Sequence, residues 1–392
     1  MQKAAFSRAK RLYFLSIFNA LWIHRERAAT ASLSEYWSRW RLARALNGGN
    51  LSTVMLQLRH GILLAAPLRS LQRHSIVHID GCRGRAEIRL PGVARLIAMC
   101  IMRQTFSRGE TMKLVRFGEF GQEKPGILDA NGGIRDLSGI VADIADEVLT
   151  PAGLKRLREI DPQSLPLAEG NPRLGAPVGN VRKFFGIGLN YRDHAEETGL
   201  PIPEVPIVFV KATSSICGPN DDVLAPPDFK RMDYEVELGF VIGSTAKRVP
   251  VESALDYVAG YCIGNDVSER SLQKGGPGEW IKAKSYETFG PLGPWLVTSD
   301  EIPDPQNLDL TMDLNGERMQ TGNTSTMIFS VAELVSYISK YMTLVPGDVV
   351  VTGTPPGVGM ARNPRVFLKP GDDMVLRISG LGEQHSVVVA ES

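Results

Sequence analysis

From Met112 onward the apolar residues of this 392-residue chain recur mostly in short runs with a period of two, punctuated by glycine, proline and asparagine. The stretch "MKLVRFGEFGQEKPGILDANGGIRDLSG" predicts a strand, a turn, a second strand with Asn131-Gly132 as hairpin signal, and then a helix. "VFVKATSSICGPNDDV" reads as a strand and a turn, and "TMDLNGERMQTG" as a hairpin about Asn315-Gly316. "VPGDVVVTGTPPGVG" reads as a buried strand that leaves a Pro-Gly-Asp turn and runs into a glycine loop. "KPGDDMVLRISGLG" repeats that turn before another strand. Helical patterning is confined to a few places. "LNYRDHAEETGLPIPEVP" predicts a polar helical turn followed by prolines. "SVAELVSYISKYM" predicts a helix with a Ser330/Glu333 capping box and an apolar stripe of Val331, Leu334, Val335 and Ile338. Strands do not alternate with helices, which argues against a parallel doubly wound sheet and for a β-rich α+β fold. The pattern predicts a small α/β unit over 112–178 and a larger body over 179–392.

"DYEVELGFVIG", from Asp233 to Gly243, alternates apolar and polar residues, so Glu235 and Glu237 share one side of a strand, roughly 7 Å apart. That side is either a solvated outer face or a buried one on which two acids hold something positive. It continues as Gly239, Val241 and Gly243, and glycine inside a strand marks the close approach of a ligand or of another backbone.

Composition narrows the function classes. The chain is 43% apolar and 22% charged, globular usage with room for a large core, and its net charge of +1 argues against nucleic-acid or membrane partners. Cys82, Cys100, Cys217 and Cys262 form no C-x-x-C pair and no disulfide-scaffold spacing, which fits a reducing cytoplasm. The longest apolar run, near Leu12 to Ile23, is too short to cross a bilayer, and the "HRER" after it is unlike a signal-peptide cleavage region.

Residues 1–111 differ in texture. They are rich in arginine, contain only Glu26, Glu35, Asp80, Glu87 and Glu110 as acids, and follow no sustained period. Three readings fit: an organellar transit peptide, a basic nucleic-acid-binding arm, or upstream DNA translated from a start codon set too early. The third is favoured, because the codons of "RGE" can spell a purine-rich ribosome-binding stretch just before Met112. It predicts a non-native or disordered extension.

Candidate chemistry clusters beyond residue 190. His194 in "NYRDHAEE" shares a helix face with Glu197, which could orient it as a general base; the alternative is a surface helix with ordinary charges. Asp266 follows the apolar run "YVAGYCIG", so it sits where a buried strand ends. Buried carboxylates cost several kcal/mol each unless compensated. Three on one cavity, Glu235, Glu237 and Asp266, would call for a cation, and an all-oxygen set selects Mg²⁺, Mn²⁺ or Ca²⁺. Lys282 and Lys284 fall at period two in "IKAKSYETFGPLGPW", a spacing that also suits a solvated strand face. "TGTPPGVG" lacks the lysine of a phosphate loop but could offer backbone N–H groups and the Thr354 hydroxyl to a substrate carboxylate. His385, in "EQHSVVV", reads as structural or exposed.

In this order, Glu-x-Glu, Asn-Asp-x-Ser-x-Arg, Ala-Lys-Ser and Gly-Thr-Pro-x-Gly-Val-Gly resemble the fumarylacetoacetate hydrolase family over Met112 to the C-terminus. "KATSSICGPND" and "MTLVPGDVVVTGTPPGVG" are similar to a bacterial subgroup labelled ureidoglycolate lyase or 2,4-diketo-3-deoxy-sugar-acid hydrolase. The resemblance implies a mixed β-roll catalytic domain with a small N-terminal domain, a cytoplasmic homodimer and one Mg²⁺ or Mn²⁺. It implies Glu235, Glu237 and Asp266 as metal ligands and His194 with Glu197 as a water-activating dyad on a lid. Gln273 and Lys284 match the family's charge-stabilising pair, and Arg270, Thr354 and Lys211 match substrate-side positions. A further upstream acidic ligand of the vertebrate enzymes has no clear counterpart here. The implied reaction is metal-dependent C–C hydrolysis of a β-diketo acid with release of pyruvate. The alternatives are ureidoglycolate lyase, isomerase or decarboxylase activity on 2-oxo acids.

Overall fold

The period-two segments become strands, and those at the centre of the larger sheet, Val236–Ile242, Val258–Asn265 and Val349–Val351, are buried on both faces. The computed structural model describes residues 53–57, 63–67, 112–273 and 280–391. The chain divides into two compact units, Met1–Ile101 and Met102–Ser392. In the first, Thr53–Gln57 pairs antiparallel with Leu63–Pro67. The reading of residues 1–111 as a basic extension otherwise falls outside the described residues.

In the second unit nine strands lie side by side in one sheet. Their order is Ile134–Asp136, Lys124–Leu128, Lys113–Phe117, Gly290–Thr298, Val258–Asn265, Val236–Ile242, Val349–Val351, Phe184–Gly188 and Ile207–Lys211. Two short strands, Leu174–Gly175 and Ile216–Cys217, attach beside them. Most neighbours are antiparallel, but Val349–Val351 runs parallel to Phe184–Gly188, so the sheet is mixed. A second sheet of five strands has the order Val223–Ala225, Gly382–Ala390, Asp373–Ile378, Asp309–Leu314, Glu317–Asn323. Helices are few, as expected of a β-rich α+β fold.

The expected boundary near residue 178 does not separate two bodies. Leu114 and Lys113 pair with Leu296 and Val297, which joins the N-terminal strands to the main sheet. One apolar cluster runs from Met112, Leu137 and Leu157 through Val241, Ala259 and Val349. A second packs Val236, Leu238, Phe240 and Ile242 against the five-stranded sheet and the helix Val331–Tyr341. That helix begins at the expected Ser330/Glu333 capping box and buries Val331, Leu334, Val335 and Ile338.

The strand Val236–Ile242 is therefore sandwiched between two cores, its even residues in one and Val241 in the other. The glycines on the odd face answer to neighbouring atoms rather than to a ligand. A Cβ on Gly239 would lie 3.1 Å from Cys262 Sγ, and one on Gly243 would lie 2.8 Å from Leu149 O. Val236 pairs with Asn265 in the antiparallel strand Val258–Asn265, so the start of one strand meets the end of the other. Glu235 and Asp266 lie just past that pair, where the Asp266 N–H donates to Glu235 O at 3.0 Å.

Candidate metal centre and active site

Glu235, Glu237 and Asp266 converge: an oxygen of each lies within 4.8 Å of the others. All three are buried, with exposures of 6%, 1% and 1%, which excludes the solvated-face reading of the Glu-x-Glu alternation. Glu237 accepts a single hydrogen bond among the described residues, from the Gly353 N–H at 2.7 Å. Burial, with the charges of Asp266 and Glu235, pushes its carboxyl well above the usual range. Burial pushes Glu235 up as well, but Arg270 and Lys284 outweigh it and hold this carboxyl well below the ordinary value. A buried set of oxygen donors, one of them short of partners, fits a hard divalent cation.

Three cations surround these acids and spend their donors on protein. Lys284 donates to Glu235 Oε2 at 2.8 Å, Asp266 Oδ2 at 2.5 Å and Ser268 Oγ at 2.8 Å. Burial lowers its pKa, and the two acids more than reverse that. Lys284 closes a short helix, Trp280–Ala283, so it does not share a strand face with the exposed Lys282. Lys211, fully buried, donates to Asp266 Oδ1 at 2.6 Å, Lys284 O at 2.5 Å and Phe289 O at 3.0 Å. It thus stands behind Asp266 with all three ammonium donors used by protein oxygens. Arg270 donates through Nε to Asp233 and through its terminal nitrogens to Glu235 and Gln273. Because arginine only donates, the Gln273 oxygen must face it, and the Gln273 amide N–H₂ is directed elsewhere.

The helix Arg192–Thr198 carries the second cluster. His194 Nδ1–H donates to Glu197 Oε2 at 2.9 Å, since a carboxylate only accepts, and this leaves Nε2 as an acceptor. The helix N-terminus is pinned by the fully buried Asn190, which bonds Phe329 N and O and Thr352 O.

The glycine loop after Val349–Val351 joins both clusters. The Gly353 N–H donates to Glu237, the Gly357 N–H to Glu197 Oε1 at 3.0 Å, and the Gly359 and Met360 N–H groups to Asp233 at 2.8 and 3.0 Å. These amides therefore hold the protein's own carboxylates. Thr354 Oγ1 donates to Val236 O at 3.0 Å and accepts from Gln320 Nε2 at 2.8 Å, so its proton is committed as well. Backbone geometry requires glycine at 357: φ is +104°, and a Cβ would lie 2.0 Å from Met319 O.

Sequence reasoning missed Asp233, Ser268, Asn265 and Gln320. Asp233 had a signal, since it shares parity with Glu235 and Glu237. It is fully buried and accepts from Arg270 and from three backbone N–H groups. Gln320 had none. It comes from the other sheet and binds Val236 N, Thr354 Oγ1 and Pro355 O. His385 lies apart, half exposed, with Nε2 2.7 Å from Asp373. Cys217 and Cys262 are free and buried, and burial pushes the Cys262 thiol up to about 12. A cavity of about 290 Å³ between Arg116, Arg173, Glu123 and Cys217 holds none of the candidate residues. No helix among the described residues is long and apolar enough to cross a membrane.

Comparison with known proteins agrees with this fold. The family model described as fumarylacetoacetate (FAA) hydrolase C-terminal matches residues 183–389. A putative hydrolase of Burkholderia ambifaria is 62% identical over 274 residues, 70% of this chain and 97% of that protein. A probable 2-hydroxyhepta-2,4-diene-1,7-dioate isomerase from Mycobacterium abscessus superposes with TM-score 0.62 at 31% identity, covering 72% of this chain and 100% of that one. Maleylpyruvate hydrolase from Sphingobium sp. SYK-6, solved with manganese(II) and pyruvate, superposes with TM-score 0.60 at 27% identity over 72% and 100%.

Proposed function

The chain belongs to the fumarylacetoacetate hydrolase family, and from that membership we propose a divalent-metal-dependent enzyme that cleaves a C–C bond in a β-diketo acid, an acylpyruvate or a 2,4-diketo-3-deoxy sugar acid, releasing pyruvate. The observation that carries the reading is the buried triad of carboxylates joined through one glycine loop to a His–Glu pair. Glu235, Glu237 and Asp266 would hold Mg²⁺ or Mn²⁺, and the manganese and pyruvate in the maleylpyruvate hydrolase structure support that choice. When bound, such an ion supplies positive charge that orients and polarises a 2-oxo acid.

The chain's own groups account for the remaining work. His194, held by Glu197, offers Nε2 to take a proton from water, and the resulting hydroxide adds to the carbonyl distal to the carboxylate. The C–C bond then breaks, its electron pair passing to the pyruvate portion, which is reprotonated. The acyl portion leaves as a carboxylic acid. Gln273, its oxygen held by Arg270, would turn its amide N–H₂ to the developing negative oxygen, and Lys284 would offset charge through Glu235 and Asp266. Arg270, Lys211 and the Thr354 loop serve by holding these acids in register.

A lyase acting on ureidoglycolate, or an isomerase or decarboxylase of 2-oxo acids, is the second reading; the isomerase named among the structural neighbours supports its isomerase arm alone. A homodimer in the cytoplasm belongs to the same proposal. The deciding experiment measures pyruvate release from acylpyruvates, diketo-deoxy acids and ureidoglycolate with and without Mg²⁺ or Mn²⁺. Glu235→Gln should lower metal affinity and abolish turnover. Unchanged Mn²⁺ affinity by calorimetry would remove these acids as ligands.

A further inference from the structure

Where the strand Val236–Ile242 begins, its neighbour Val349–Val351 has already left it. Pairing between the two reaches only to Gly239, opposite Val351, and the Thr352 N–H adds a bond to Leu238 O at 3.1 Å. Val236, two residues earlier, turns its N–H and C=O to the same side, in the peptide units that join Glu235 to Glu237. Side chains take over there. Gln320 Oε1 accepts from Val236 N at 3.0 Å, and Gln320 Nε2 donates to Thr354 Oγ1 at 2.8 Å and to Pro355 O at 2.9 Å. Thr354 Oγ1 then donates to Val236 O at 3.0 Å. These partners fix the amide's orientation, because the Val236 N–H can only donate and Pro355 O can only accept. The result is a closed ring of hydrogen bonds through Val236, Gln320 and Thr354.

The strand that carries Gln320 is shaped for this contact. Along Glu317–Asn323 the register to Asp309–Leu314 slips: Met312 lies opposite Gln320 and Asp313 opposite Arg318, which leaves Met319 as an extra residue. A regular strand would send Met319 and Gln320 to opposite faces, but with this bulge both are buried, at 7% and 0%. The strand abuts the glycine loop on either side of Gln320. A Cβ on Gly322 would lie 2.3 Å from Pro355 Cβ, and Met319 O is the atom that excludes a side chain at Gly357. Successive loop residues then reach the acids, since the Gly353 N–H holds the Glu237 carboxylate and Thr354 holds the carbonyl that precedes Glu237.

We propose that Gln320 is a positioning residue of the acid cluster. It fixes the peptide between Glu235 and Glu237 against the glycine loop, and so sets the separation and tilt at which the two carboxylates would hold a divalent ion. Gln320 acts through Val236 and Thr354 and is not itself a ligand. This inference rests on the metal-dependent enzyme reading above.

The test is Gln320→Met in the full chain, which keeps the length of the side chain and removes its hydrogen bonds. Loss of a buried amide lowers the unfolding temperature whatever its role, so Mn²⁺ binding without substrate is the deciding readout. The Kd for Mn²⁺ by calorimetry should rise roughly tenfold, the low end of the effect of removing a group that orients metal ligands. The electron paramagnetic resonance spectrum of bound Mn²⁺ should change shape, because its splitting follows the arrangement of oxygens around the ion. Wild-type affinity and spectrum in a variant that only unfolds earlier overturn the proposal and make Gln320 a core hydrogen bond. Thr354→Val breaks the ring at its other side chain and serves where Gln320→Met does not fold. The same rise in Kd and spectral change are expected of it, and wild-type values overturn the proposal. Where both variants fold, the double variant should lose little more than either alone, because the ring is already broken. Losses that multiply overturn the ring as a unit. A wild-type chain that does not bind Mn²⁺ overturns the enzyme reading itself, an outcome distinct from failure at Gln320.

Discussion

His194→Ala removes the acceptor nitrogen while leaving the three acids and their lysine and arginine partners in place. Substrate affinity should therefore change little, and the rate of C–C cleavage should fall by roughly the 10²–10⁴-fold that general base catalysis contributes. Glu197→Gln should fall less far, because the imidazole survives and loses only the charge that orients it through the 2.9 Å contact. Decarboxylation of oxaloacetate requires no attacking water, so a side activity of that kind should survive His194→Ala better than hydrolysis does. Joint loss of both activities with Mn²⁺ binding intact would make His194 a group that positions substrate instead. Single-turnover measurement of pyruvate release with each substrate separates these cases.

Among the elements, the glycine loop carries the strongest expectation, because its amides reach both Glu237 and Glu197. Gly357→Ala forces a side chain at φ +104° against the Met319 carbonyl. The loop must shift, at a cost of about 1–3 kcal/mol for strained backbone, and Glu197 loses its amide partner. Thermal unfolding should report a lower midpoint, and turnover should fall more than Mn²⁺ affinity does. If turnover and midpoint both match wild type, the loop does not hold the dyad. A second element-scale expectation concerns acid. Arg173 bridges Glu123 and Asp221 between the strand Leu174–Gly175 and the turn after Ile216–Cys217. Burial raises the Glu123 carboxyl, but bonds from Arg173 and backbone amides, with the charge of Arg116, bring it below its ordinary value of 4.5. A depressed folded pKa contributes stability that is present above the ordinary value and is lost as pH falls below it toward the folded one. Glu123→Gln should therefore destabilise the protein near neutrality and flatten the decline in unfolding temperature as pH falls below 4.5.

On the scale of the whole molecule, a bound ion that favours the folded chain should raise its unfolding temperature by mass action. Mn²⁺ at a hundredfold excess over its Kd contributes about 2.7 kcal/mol. For a chain of this size that corresponds to an upward shift of a few degrees. EDTA should reverse the shift, and Glu235→Gln should abolish it; a Mn²⁺ response retained in that variant places the ion elsewhere. A chain beginning at Met112 should fold, because among the described residues the apolar cluster around Met112, Leu114 and Val241 draws on residues 112–351. Insolubility of that shorter chain would mean that earlier residues complete this core.

Much of this architecture and chemistry was legible one residue at a time. Strand periods, the Ser330 capping box and the Asn315-Gly316 hairpin are local, because a side chain's face follows from its position in a short repeat. The alternation in "DYEVELGFVIG" put Glu235 and Glu237 on one side for the same reason, and the run before Asp266 marked a strand end. Local pattern could not say that both faces of that strand are covered, because burial depends on which distant strands lie beside it. It could not show that residues 112–178 continue the main sheet, which follows from pairing between Leu114 and Leu296. Nor could it assign the donors of Lys211, Lys284, Arg270 and the glycine loop. Each has several acceptors available in principle, and only packing brings a particular carboxylate within 3 Å. The sequence by itself determined which residue types were at hand and on which local face they lie. The tertiary structure alone decided which of them meet, because contacts between residues far apart in the chain are set by how the sheets stack and not by any spacing along it.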